Sequence, residues 1–200
     1  MIEFTKENTI VIIGKSPILD DPKIFSKAKT VKAKYHTIGI NQAAVIFNTE
    51  YLAFVDAPIK LHYNSIHPNT KIITQINHAT EKFQGDFLEC YVPKDYDKDG
   101  PFKDDKYAYC GFTHDMCLSW SVKQGFKNVI LMGVADFSHN NAYLKEFDKF
   151  VDSRKDFRHS DKMEAKSIKY INEVFTKYIN IYTINPESKL NVPRITIDKF

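Results

Sequence analysis

Residues 107–139, YAYCGFTHDMCLSWSVKQGFKNVILMGVADFSH, constrain the fold more than any other stretch, because they set a helix and a buried strand between glycine breaks. No proline interrupts Gly111 to Gln124. Met116, Cys117, Trp120 and Gln124 fall at three- and four-residue steps, the spacing of a helix that lays one face on a core. Gly125 ends it, and Val129 to Met132 then form a short apolar run closed by Gly133. A run with no polar alternation predicts a strand covered on both faces, as in the centre of a parallel sheet. The polar residues Asp136 to Asn141 follow at its carboxyl end, the edge where open α/β sheets bind ligands.

The rest of the chain repeats this alternation. Strands are expected near 10–13, 35–40, 51–55, 129–132 and 181–184, with Lys71–Thr74 and Phe87–Val92 as further strands. Helical patterns cover Pro22–Ala28, Asn141–Asp152 and Glu164–Tyr178, the last with Ile168, Ile171, Val174, Phe175 and Tyr178 on one stripe. Asp161 and Glu164 stand at capping-box spacing ahead of it. The pattern predicts one three-layer α/β domain over 1–200 with a mainly parallel central sheet. The charged segment Ser153–Lys162 hangs off the working edge, so 138–160 is the candidate lid; a solvated face is the plainer reading.

Charge narrows the partners. The 28 basic and 25 acidic residues are interspersed, so no block singles out nucleic acid or an anionic membrane. Three cysteines, Cys90, Cys110 and Cys117, are an odd and irregular set that predicts reduced thiols and a cytoplasmic setting. No signal-type amino terminus and no membrane-length apolar run is present. His62, His67 and His78 match no zinc spacing. The loop Asp95–Gly100 imitates a calcium loop, but the twelfth residue, where a bidentate glutamate is needed, is Lys106. No metal site is expected.

Two strand ends carry candidate ligand groups. The first strand runs into Gly14-Lys15-Ser16-Pro17, a tight turn that can present backbone amides to a phosphate. A single glycine is neither a Walker loop nor a dinucleotide fingerprint, and a plain turn reads equally well. The second strand ends on Asn41-Gln42, whose amides could read a base, a ribose or a sugar hydroxyl; local capping is the plainer reading for Asn41.

Four pieces in order resemble the bacterial lipooligosaccharide sialyltransferases, glycosyltransferase family forty-two. They are Gly14-Lys15-Ser16-Pro17, Asn41-Gln42, the helix begun at Gly111 with GFKNVILMGVADF, and 157–190, FRHSDKMEAKSIKYINEVFTKYINIYTINPESKL. The resemblance implies a single Rossmann-like domain with a lid, and a metal-independent transferase without a cofactor. Its substrates would be a nucleotide-sugar donor, CMP-sialic acid in the family, and a glycan acceptor. His159 would be the general base. Gly14, Lys15, Ser16, Asn41, Gln42, Gly111, Asp136, Ser138 and Tyr143 would line the donor side. The chain departs from the family at Lys15 (asparagine there), Tyr107 (arginine), Tyr109-Cys110 (Thr-Ser) and Ser138 (tyrosine); Tyr143 matches a second tyrosine only across a loop one residue shorter. These changes fall on the donor side. The position of His159, just ahead of a helix start, independently favours a neutral ring able to accept a proton. Two alternatives stay open: magnesium-dependent pyrophosphokinase chemistry through carboxylates such as Asp56 and Asp136, and a non-catalytic nucleotide-binding module. A homo-oligomer fits any of the three.

Overall fold

Every residue of β1 (Thr9–Ile13) is buried, and so is every residue of β9 (Asn128–Met132) beside it. Strands with no polar face must sit between two layers. In the computed structural model, which describes residues 3–55, 65–78, 84–94, 99–135 and 161–200, they are the centre of a seven-stranded, all-parallel sheet. Its order is β10-β9-β1-β2-β3-β4-β5, with β2 His36–Ile40, β3 Tyr51–Phe54, β4 Lys71–Gln75, β5 Gly85–Leu88 and β10 Asn180–Thr183. The expected Rossmann-like three-layer arrangement is therefore present. A second, three-stranded sheet of β6 (Cys90–Tyr91), β7 (Phe102–Lys103) and β8 (Lys106–Ala108) follows the edge strand β5.

Alternation along the strands sorts the core into two faces. Ile10, Ile12, Val129, Leu131 and Ile181 pack with Met116, Cys117 and Trp120 of α3 (Thr113–Lys123) and with Tyr170 and Ile171 of α4 (Asp161–Glu173). Val11, Ile13, Ile130, Met132 and Tyr182 face the other layer. There they meet Ala28 of α1 (Pro22–Thr30), Phe47 of α2 (Ala43–Phe47) and the ring of Phe200. α1 starts where its sequence dictates: Pro22 needs no amide partner, and the Asp21 carboxylate accepts from Lys23 N at 2.8 Å and Ile24 N at 3.1 Å.

Three expectations need correction. Phe87–Val92 is not one strand: β5 ends at Leu88, and Glu89 turns its carbonyl to Tyr107 N at 2.8 Å, which starts the small sheet. The helix expected over Glu164–Tyr178 begins at Asp161 and ends at Glu173. It is followed by a 3-10 turn, Phe175–Lys177, which rotates Tyr178 off the apolar stripe and leaves it 54% exposed. Lastly, Asp161 already lies within α4, and the position before it, the helix Asn141–Asp152 and the lid over 138–160 are outside the described residues. Among the described residues no helix is long and apolar enough to cross a membrane.

Candidate functional site

Because all seven strands are parallel, the loops after β1, β2 and β9 leave the same edge. Chain order reverses at β1, with β2 to β5 on one side and β9 and β10 on the other, so the switch point lies between β1 and β9. The sequence left this turn open between a phosphate cradle and a plain tight turn. In the structure Gly14 N donates to Met132 O at 2.9 Å and Ser16 N to Gly133 O at 3.1 Å. Those amides are engaged with the neighbouring strand end rather than aimed at a ligand. Gly14 is required for the same reason: a Cβ there would stand 2.2 Å from Gly133 O. Ser16 Oγ accepts from Ile18 N at 3.4 Å and caps the short turn Pro17–Asp20. Gly133 takes φ +65°, and a Cβ there would meet Leu19 Cδ1 at 2.7 Å. The junction is closed by its own backbone.

One strand over, the situation reverses. Asn41 holds a left-handed conformation, φ 53°, which asparagine tolerates better than most residues. Its main chain is satisfied, N donating to Ala53 O at 2.8 Å and O accepting from Ala44 N at 3.2 Å. Its side chain is not a cap: α2 has no side-chain capping hydrogen bond. Asn41 Oδ1 and the adjacent Gln42 Oε1 are both buried and, among the described residues, have no hydrogen-bond partner. Leaving a buried acceptor unmatched costs about 1–3 kcal/mol, so two side by side at the ligand edge of a parallel sheet need a reason. A ligand with hydroxyl or amino donors supplies one.

The amino end of α3 comes to the same edge. Gly111 takes φ +116°, a conformation that L side chains rarely adopt, and a Cβ there would also meet the flexible end of Met163 on α4, Cε at 2.5 Å. Behind it lies a polar cluster that the sequence reading did not single out. Asp115 Oδ2 accepts from Phe112 N at 3.2 Å, Asp115 Oδ1 accepts from Ser167 Oγ at 2.7 Å, and Ser167 Oγ lies 3.0 Å from His114 Nε2. The His114 ring stacks on Phe112, with centroids 5.1 Å apart. Burial pushes the Asp115 carboxyl up to about 7, against the opposing pull of the Ser167 hydroxyl and the Phe112 and Cys110 amides. Burial likewise raises the Cys110 and Cys117 thiols, which keeps them protonated and unreactive. The available signal was composition: there is no Lys, Arg or Glu between Gly111 and Val122, which marks a helix buried on all sides, where His and Asp must find partners.

Another opening lies elsewhere. A cleft of about 570 Å³ beside edge strand β5 is lined by Asp86, Glu89, Asp104, Asp105 and Tyr107, and by Gln124 just beyond α3. It therefore lies at the amino edge, across the sheet from Asn41. Its carboxylates repel a phosphate, and three already have partners: Trp120 Nε1 donates to Asp86 at 2.6 Å, Lys123 stands 3.5 Å from Asp105 and Lys106 stands 3.5 Å from Glu89. The amide pair at the carboxyl edge is the better candidate for a nucleotide. Of the residues expected there, Gly14, Lys15, Ser16, Asn41, Gln42 and Gly111 are described; Asp136, Ser138, Tyr143 and His159 lie outside the described residues, as does Asp56. Comparison with family models, curated proteins and solved structures finds no match to this chain.

Proposed function

We propose that this chain binds a nucleotide sugar at the carboxyl edge of its sheet and transfers the sugar to a glycan hydroxyl. The observation that carries the binding half is the pair of buried, unpartnered oxygens of Asn41 and Gln42. Both accept only, which suits ribose hydroxyls or the exocyclic amine of a cytosine. Lys15, on the neighbouring loop, supplies positive charge for the phosphate. The transfer half rests on the resemblance of the motifs around it. In that reading His159 takes the proton from the acceptor hydroxyl as its oxygen attacks the sugar carbon, and the nucleotide departs with the bonding pair on its phosphate oxygen. No metal takes part, the donor is CMP-linked, and the setting is cytoplasmic.

The test is a calorimetric titration with CMP, UDP, GDP and ATP, each with and without magnesium, followed by a transfer assay with the sugar form of whichever binds. CMP is expected to bind equally well in both conditions. His159→Ala should keep binding and lower turnover by about 10²–10⁴-fold. Binding of none of the four, binding of ATP only with magnesium, or unchanged turnover in the variant overturns the reading.

A further inference from the structure

The two edges of the large sheet end differently. At β10 the chain covers its own edge: Thr183 N donates to Pro193 O at 3.1 Å, Ile195 N donates to Thr183 O at 3.0 Å, and Thr183 bridges to Arg194. At β5 no strand or loop does the same among the described residues. The register tells which groups this leaves. Ile72 N of β4 donates to Gln84 O at 3.0 Å and Ile72 stands opposite Gly85, so Asp86 and Leu88 turn their main-chain groups to β4 while Gly85 and Phe87 turn theirs outward. Among the described residues no hydrogen bond engages those outward groups. An unpaired row of this kind is a template for another strand.

We propose that the outer edge of β5 takes up one extended segment of a partner protein, in which basic and apolar residues alternate, as an added strand of the sheet. The cleft beside β5 gives it room. Five consecutive residues, Gly85 to Glu89, line that cleft, and because successive side chains point to opposite faces the opening lies off the edge and not over one face. Charge selects the segment. Asp86, Glu89, Asp104 and Asp105 line the cleft, Lys106 stands by Glu89 and Lys123 by Asp105, and Asp86 and Asp104 have no cation among the described residues. Asp86 lies on the α3 face, where Trp120 Nε1 reaches it, so the added residues on that face are basic. On the opposite face Phe87 packs with Leu52, Phe54 and Ile72, which suits apolar residues. A second copy of this chain is a poor occupant, because joining two β5 edges would set their carboxylates against one another. Main-chain hydrogen bonds supply the affinity in such a complex and alternate side chains the selectivity.

The probe is a capped hexapeptide of alternating valine and lysine, titrated into the full unmodified chain and followed by NMR of the backbone amides. It should bind, more weakly as salt rises, and at saturation slow hydrogen exchange at Gly85 and Phe87 by about tenfold or more. The same peptide N-methylated at every amide has no donors to offer the edge and should bind at least about tenfold more weakly. A valine–glutamate peptide should lose at least as much, about tenfold, through charge. No detectable binding, equal binding of either control, or unchanged exchange at those two amides overturns the proposal. So does slow exchange at both amides in the peptide-free chain, which would mean that the edge is already covered by the chain itself or by a second copy.

Discussion

Two loops leave the sheet side by side, Gly14–Ser16 after β1 and Asn41–Gln42 after β2, and they treat their polar groups in opposite ways. In the first, Gly14 N and Ser16 N are matched by the carbonyls of Met132 and Gly133, and the fit is so close that only glycine can stand at position 14. In the second, the main chain is matched but two buried side-chain oxygens are not. The first loop's amides are matched within the fold, whereas the second keeps two unmatched oxygens among the described residues. The proposed ligand place therefore rests on the amide pair and not on the glycine turn.

Substitutions can break this contrast, and the largest effect is expected at the closed loop. Gly14→Ala drives a methyl into backbone that cannot yield, so unfolding in urea should show a loss of about 3 kcal/mol, the upper range for overpacking. A loss below about 0.5 kcal/mol would mean that the β1–β9 junction is looser than its contacts imply. At the open loop the sign should invert. Gln42→Met keeps the volume and removes the unmatched oxygen, so the ligand-free protein should gain about 1 kcal/mol while nucleotide affinity falls. Destabilisation by that amount would show the oxygen already satisfied. The smallest effect belongs to Lys15→Ala, which should leave unfolding within about 0.5 kcal/mol of the parent and weaken nucleotide binding mainly at low salt. Affinity that is independent of Lys15 at low salt would place the phosphate away from this turn.

The sequence made some of this legible and hid the rest for physical reasons. Thr9–Ile13 and Val129–Met132 were readable because burial on both faces leaves an unbroken apolar run. The break at Glu89 was not, since a strand that changes sheet keeps its apolar residues on either side of the switch. The end of α4 was misplaced because tightening to a 3-10 turn moves Tyr178 to the surface without any change of composition. Asn41 stood out as a strand-end amide, but that its side-chain oxygen is buried and unmatched among the described residues is visible only in the fold. Gly14 stood out as a turn glycine, but its close neighbour, Gly133, is 119 positions away in the chain and no local pattern names it. The His114–Ser167–Asp115 chain joins residues 52 and 53 positions apart, a pairing no local pattern encodes.

The central claim is that the carboxyl edge beside Asn41 is built for a ligand and not for stability, and Asn41→Gly tests it most directly. Glycine accepts the φ of 53°, so the backbone is kept while the unmatched oxygen is removed. Urea unfolding and nucleotide titration should be run on the same preparations. The account predicts unfolding free energies within about 1 kcal/mol of each other, the loss of an unmatched acceptor offsetting the added freedom of glycine. It also predicts nucleotide affinity lowered by about tenfold or more. Equal affinity in both proteins, or a variant that loses several kcal/mol of stability, would contradict it.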